Sequence, residues 1–292
     1  MSQVADRAPA VRAPARRRPS RRPAAAAAKG AAVAGVLFFT LFPAYFMLTS
    51  AVSGKVGSGF EALIPTAPTL ANFTEVLTRG NFLTYLGNSL LVALITVLGS
   101  SLLALFAAVA VARFRFRFRT TVLIMILVIQ MVPLEALVIP LFLQARELQL
   151  LNSLLGLSLV YIALSLPFAV WMLRGFVAAV PAEVEEAAYL DGASWGRMFW
   201  SVLLPLVAPG LVATSIFSFI TAWNEFILAL TFFNDTDKYT VAVGLRAFFG
   251  QNTTDWGLVM AGSTIITLPV MVFFLFVQRG LASGLVAGAV KG

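Results

Sequence analysis

The stretch whose reading decides the fold is "EEAAYLDGASWGRMFWSVLLPLVAPG", residues 185–210. Acids and small residues open it, Asp191-Gly192 interrupts it, and an apolar run broken by Pro205 and Pro209 closes it. Just upstream, Pro181 fits the first turn of a helix, where its missing N–H costs no bond. Glu183, Glu185 and Glu186 then lie near the positive end of the helix dipole. Val184, Ala187 and Ala188 fall at i, i+3 and i+4, a narrow face that lets another backbone come close. Gly192 supplies the permissive backbone that ends a helix, and Ser194 caps the next one. The spacing predicts a short polar helix within about 181–193, followed by an apolar helix. Such an element is either a surface helix stabilising a connection or a stiff docking piece.

What surrounds it is membrane-like. The 292-residue chain is 60% hydrophobic and 12% charged, too few charges to keep a soluble domain wet and unassociated. A hydrocarbon core about 30 Å thick needs roughly 20 apolar residues in a helix. Six stretches meet that length, near 31–52, 87–112, 120–143, 154–174, 202–233 and 257–278. The alternation of a transmembrane barrel is nowhere sustained, so the expected fold class is an all-α integral membrane protein. With the N-terminus inside, sixteen of the 21 Lys and Arg fall on the cytoplasmic side, against five outside. The 181–193 helix is then cytoplasmic, as are both termini, and the loops at about 53–86 and 234–256 are exterior.

Several chemistries are excluded. The chain has neither Cys nor His, which removes disulfides, a thiol nucleophile, a Cys/His zinc site and an imidazole base. None of Lys29, Lys55, Lys238 and Lys291 is followed by Ser or Thr, so the phosphate-cradling GxxxxGK[ST] loop is missing. If ATP is used, another chain supplies the site. The basic residues cluster in the arm and one short loop and make no folded face, so no nucleic-acid partner is expected. The Arg/Pro/Ala-rich arm over 1–29 is expected to be disordered and drawn to anionic lipid. The apolar run that follows is longer than a secretory h-region, so an uncleaved anchor is expected. In "RFRFRFR", Arg113 to Arg119, alternating cations and rings fit anchoring at the lipid headgroups. The tail over 279–292 reads as a frayed terminus.

Polar residues at membrane depth are the second place where function is expected. Gln130 and Glu135 fall on the third span, and Trp223, Asn224 and Glu225 on the fifth. Asn224 and Glu225 either line a pathway or bond helix to helix, and Glu135 lies near the outer end beside Pro133. An ion-driven secondary transporter would need such acids as ion sites, for which Glu135 and Glu225 are thin material. No repeat of one half of the chain in the other supports an inverted-repeat carrier.

Residues Glu186-Ala187-Ala188, then Gly192 after three more residues, then Val202-Leu203-Leu204-Pro205 after nine, resemble the "EAA" signature of binding-protein-dependent ABC importer permeases. Val202 stands where that family usually has Ile. "NSLLVALITV" from Asn88, "VPLEALVIPLF" from Val132, "AWNEFILAL" from Ala222, "WGLVMAG" from Trp256 and the terminal "GLVAGAVKG" are similar to the carbohydrate permeases of the maltose G-subunit type. Two departures, the missing Gly after Phe in the basic loop and Gly280 in place of a bulkier residue, touch local packing only. The resemblance implies a type I ABC importer permease fold with six spans. It implies a second six-span permease, two ATPase subunits that carry the ATP and Mg, and an extracytoplasmic substrate-binding protein, with no cofactor on this chain. By the same resemblance the polar helix is the coupling helix, in which Glu186, Ala187, Ala188, Asp191, Gly192 and Pro205 belong to the ATPase-coupling motif. Trp223, Asn224, Glu225 and Gln130 are candidates for the translocation path. The 234–256 loop takes the place of the one that enters the binding protein's cleft, and the tail the place of one that inserts between the ATPases. A permease for another solute, such as glycerol phosphate, carries the same signature.

Overall fold

The computed structural model describes residues 22–54, 63–65, 67–250 and 254–289, by backbone alone at 22–25 and 279–289. In chain order its helices are α1 (Arg22–Val52), α2 (Ala71–Thr78), α3 (Phe82–Arg113), α4 (Arg119–Ile129), α5 (Leu134–Glu147), α6 (Leu154–Ala179), α7 (Ala182–Leu190), α8 (Trp195–Met198), α9 (Leu204–Asn224), α10 (Ile227–Phe232), α11 (Val241–Leu245) and α12 (Trp256–Ala289). A π-turn, Phe199–Leu203, joins α8 to α9, and short 3-10 turns cover Thr236–Lys238 and Arg246–Phe248. Among the described residues the only extended pairing is a single bridge between Ser53 and Pro68.

Five helical stretches are long and apolar enough to cross a bilayer: Ala26–Val52, Phe82–Arg113, Leu154–Ala179, Trp195–Asn224 and Trp256–Gln278. The third expected span, 120–143, is instead a pair of helices, α4 and α5, bent by 101° across the break. Pro133 explains the break. It has no N–H to give to the preceding turn and biases Val132 away from helical backbone. The chain turns with Met131 N–H on Val128 O (3.0 Å) and Val132 N–H on Ile129 O (3.2 Å), and Pro133 itself is extended, with ψ 135°. The fifth expected span, 202–233, is also subdivided. Pro205 would meet the carbonyl of Ser201 in a regular helix, and the backbone widens just before it into the π-turn. Beyond Asn224 the helix stops, and α10 begins two residues later.

The ends of the chain differ from the expected boundaries. The helix starts at Arg22, inside the arm expected to be disordered over 1–29, because Ala24 to Ala28 favour helix strongly. At the other end α12 runs on to Ala289, through most of the segment expected to fray. Residues 1–21 and 290–292 lie outside the described residues.

The chain divides into two compact units, Met1–Phe46 and Met47–Gly292. In the first, Phe38, Phe42 and Phe46 form an i, i+4 ladder with ring centroids 5.3 and 6.5 Å apart. In the second, α3, α6 and α9 make the most extensive mutual contacts, and α12 packs on α9 and α2. Hydroxyls knit α3 to α9: buried Ser100 donates to buried Ser218 (3.0 Å), and half-buried Ser101 pairs with Ser215 (3.2 Å). Two apolar clusters form the interior. One gathers Phe82, Val92, Tyr161, Phe219, Trp223, Phe232 and Leu258, and the other Leu105, Val109, Leu173, Val177, Met198, Phe199 and Leu203. The second cluster lies at the end of the bundle where α7 sits, and Val180, Ala188 and Ala193 pack against it.

Candidate functional site

α7 is a nine-residue helix with no fully buried residue. At 100° per residue, Glu185 and Ala188 share one side, while Glu183, Glu186, Ala187 and Leu190 share the opposite side. The first pair is half-buried, and the second group is exposed, Leu190 to 89%. The small-residue face expected from Val184, Ala187 and Ala188 is therefore split. Ala188 packs inward, and Ala187 faces out beside Glu186 and Leu190.

The end of α7 is a Schellman stop. Gly192 has φ +81°, its N–H donates to Tyr189 O (3.0 Å), and Ala193 N–H reaches back to Ala188 O (2.9 Å). Ala188 and Ala193, the two positions at which such a stop usually carries an apolar contact, both pack against the inner cluster. Asp191 is the C-cap residue and is exposed. Ser194 then accepts from Arg197 N–H (3.4 Å) and starts α8 as its spacing predicts. Pro205 is exposed in the first turn of α9, after the π-turn.

On its inward side α7 is tied to α3. Arg113 Nε donates to Glu185 Oε1 at 2.7 Å, and Arg113 Nη2 donates to Val180 O at 2.8 Å. Val180 is the C-cap residue of α6, so one guanidinium joins the ends of α3, α6 and α7. The two side chains keep only 19% and 13% exposure. A second ion pair among the described residues, Arg79 with Glu75 one turn away, is exposed to 59% and 52%, a type of pair worth about 0.3–0.5 kcal/mol. The Arg113–Glu185 pair is screened far less, and loss of one partner would strand the other in a poorly solvated place. Sequence reading put Arg113 in the headgroup anchor and Glu185 at a helix dipole. Residues 72 apart give no local sign of their pairing.

The candidates for a path are divided by the structure. Trp223 is core: it is 2% exposed and stacks on Phe219 at 5.4 Å. Asn224 is exposed at the end of α9. The carboxylate of Glu225 accepts from the Tyr161 hydroxyl, from Leu228 N–H (2.8 Å) and from Ala229 N–H (3.1 Å). Of the two roles expected for Glu225, the geometry gives the interhelical one: it caps α10 and fastens it to α6. Gln130 is exposed at the end of α4, and its amide reaches only Ile126 O (3.4 Å). Glu135 lies in the first turn of α5, directly after the break at Pro133. Among the described residues no hydrogen bond links Gln130 to Asn224 or Glu225.

At the far end of the bundle the segment after α10 is held firmly. Asn152, at φ 55°, accepts on Oδ1 from Asn234 N–H (2.7 Å) and Asp235 N–H (3.1 Å). The Asn81 amide donates to Asp237 Oδ1, and the Asn88 amide to Asp237 O (2.8 Å) and Tyr239 O (3.0 Å). Ser89 Oγ accepts from Val241 N–H at 2.8 Å. Within the loop expected over 234–256, residues 234–241 are thus bonded to α3 and to Asn152; residues 251–253 lie outside the described residues.

The chain resembles known proteins along most of its length. Residues 100–286 match the family model of the binding-protein-dependent transport system inner membrane component. The diacetylchitobiose uptake system permease protein of Streptomyces coelicolor is 42% identical over 88% of this chain and 94% of its own. The trehalose transport system permease protein of Mycobacterium tuberculosis is 37% identical over 88% and 94%. The trehalose/maltose transport system permease protein of Thermococcus litoralis is 36% identical over 86% and 92%. A chain in the crystal structure of a bacterial ABC transporter involved in the import of the acidic polysaccharide alginate superposes with TM-score 0.75 at 22% identity, covering 89% of this chain and 98% of that one. With five membrane-length helices, a bent helix pair and the intact Glu186 to Pro205 spacing, these matches show that the chain belongs to the family of inner-membrane permease components of binding-protein-dependent ABC transport systems.

Proposed function

We propose that this chain is one of two membrane-spanning permease subunits of an ATP-driven importer that receives sugar from an extracytoplasmic binding protein. The observation that carries the reading is the division of α7: one side is bonded to the bundle through Glu185 and Ala188, and the other offers Glu186, Ala187 and an 89% exposed Leu190 to a partner. An exposed leucine between acids on a short, stiffly tied helix suits a cleft with an apolar floor and a basic rim. The partner is an ATPase subunit, which holds the ATP and Mg that no motif in this chain binds. Two ATPases and a second six-span permease complete the assembly. Their closure on ATP moves α7 and switches the path between inward-facing and outward-facing states. α7 and both termini then lie in the cytoplasm, and the 234–256 segment meets the binding protein outside. The relatives' sugars, diacetylchitobiose, trehalose and trehalose/maltose, support a sugar as cargo.

Co-expression with the ATPase and the second permease tests the assignment. Leu190→Asp and Glu186→Lys are expected to leave this subunit in the membrane at normal abundance and to reduce co-purifying ATPase at least fivefold. Undiminished ATPase recovery with both variants would refute it. The cargo is read by adding single sugars with the binding protein to the reconstituted complex, where one saccharide is expected to raise ATP hydrolysis; stimulation by non-sugar solutes alone would overturn the sugar.

A further inference from the structure

α3 differs from the other long helices of this chain. It runs 32 residues, Phe82–Arg113, without a proline, whereas α1, α5, α6, α9 and α12 carry Pro43, Pro140, Pro167, Pro209 and Pro269 inside them. A proline removes a hydrogen bond and invites a kink, so α3 is the long helix least able to absorb a displacement within itself. At a 1.5 Å rise per residue it spans about 48 Å. Each of its ends carries polar bonds to a distant segment of sequence. At one end Arg113 holds Glu185 of α7 and the carbonyl of Val180. At the other, Asn81, Asn88 and Ser89 hold Asp237, Tyr239 and Val241. Aromatic and close packing reinforce that second end: Tyr85 faces Tyr239 at 6.0 Å, and a Cβ at Gly244 would collide with the Tyr85 ring.

We infer that α3 is a connecting rod that joins α7 to the 234–245 segment, with Arg113 and Asn88 as the positioning residues that couple its two ends. The inference rests on the reading of α7 as the ATPase-docking helix and of the 234–256 segment as facing the binding protein. Without Arg113, α7 would keep its connections to α6 and α8 and the apolar packing of Ala188 but lose its directional bonds to α3, and it could shift against that packing without moving α3. With it, displacement of α7 is carried along a proline-free helix to the segment pinned at the other end. The same path runs in reverse, so arrival of a loaded binding protein would be felt at the ATPase.

The test uses the complete reconstituted importer and three readings: co-purifying ATPase, basal ATP hydrolysis, and its stimulation by the sugar-loaded binding protein. Arg113→Gln and Asn88→Ala are expected to keep the ATPase bound and basal hydrolysis near the original rate. Each is expected to lower stimulation, and sugar transported per ATP, by about tenfold. Because both interrupt one rod, the double variant is expected to be no worse than the weaker single one. Exchange of the pair, Arg113→Glu with Glu185→Arg, is expected to regain stimulation, and it carries the inner-end test if Arg113→Gln fails to accumulate. A purely structural loss would lower uptake and hydrolysis together and leave sugar per ATP unchanged, which would overturn the inference. So would unaltered stimulation in both single variants, losses that multiply in the double variant, or loss of ATPase binding with Arg113→Gln. Leu190→Asp separates the two levels. If it releases the ATPase while Arg113→Gln and Asn88→Ala are silent, docking stands and the rod falls; if neither it nor Glu186→Lys releases any ATPase, the docking reading itself falls.

Discussion

Gly192 shows how much one residue can decide. Its φ of +81° is a backbone region that an L side chain enters at a cost of roughly 1–2 kcal/mol, and both bonds that end α7 depend on it. Gly192→Val should therefore distort the turn between α7 and α8 and lower coupled sugar uptake about tenfold with little change in membrane abundance. Gly192→Asn, which tolerates the left-handed region, should retain most of the uptake. Glu225 offers a second prediction. Its three accepted bonds make it a cap and a fastener, so Tyr161→Phe should lower stability by about 1–2 kcal/mol, read as a reduced midpoint of thermal unfolding in detergent. Adding Glu225→Ala to Tyr161→Phe should cost less than the sum of the single changes; full additivity would mean that the hydroxyl and carboxylate do not act together. The roles of Gly192 and Ser194 were legible in the sequence because each acts within a few residues of itself. That of Glu185 was not, and for Glu225 interhelical bonding was one of two readings with no partner named, since Arg113 and Tyr161 are 72 and 64 positions away.

Whole elements were legible where apolar length alone determines them, and illegible where a side chain or a proline redirects the backbone. The spans from α3, α6 and α12 follow from hydropathy, with ends within about five residues except for the run-on of α12. The bend between α4 and α5 was not foreseen, although Pro133 is plain in the sequence, because an X-Pro step tells that a helix stops and not where the next one points. The 234–245 segment read only as an exterior loop, because the groups that bond it, Asn81, Asn88, Ser89 and Asn152, lie far away in the sequence. Amide exchange can check this. Asn152 accepts from two backbone N–H groups, and net hydrogen bonds of about 1 kcal/mol each set how often they open. Asn152→Ala should therefore speed exchange at Asn234 and Asp235 by about tenfold or more while leaving α6 protected. Unchanged exchange at both amides would mean that other contacts hold the segment.

At the scale of the whole molecule the open question is which end faces the cytoplasm, and the arrangement of charge makes a sharp prediction. Sixteen of the 21 Lys and Arg fall on the α7 side if the spans alternate, and the cost of carrying cations across the bilayer during insertion sets the direction. The bent α4–α5 pair adds a constraint. Only if it counts as one crossing do α7 and the 234–245 segment share a consistent alternation with the arm. Because Arg113 joins the ends of α3, α6 and α7, the pair must carry the chain from one end of the bundle to the other and cannot enter and leave by the same side. The absence of cysteine gives a clean assay, because a single introduced thiol is then the only one. Glu183→Cys, on the exposed side of α7, and Thr236→Cys, in the pinned segment, should respond oppositely to a membrane-impermeant maleimide applied to intact cells. Thr236→Cys should label before lysis and Glu183→Cys only after it. A thiol in the arm, at Ser20, should behave like Glu183→Cys if α1 crosses the membrane ahead of α3. Labelling of the Ser20 thiol in intact cells would instead mean that α1 does not cross.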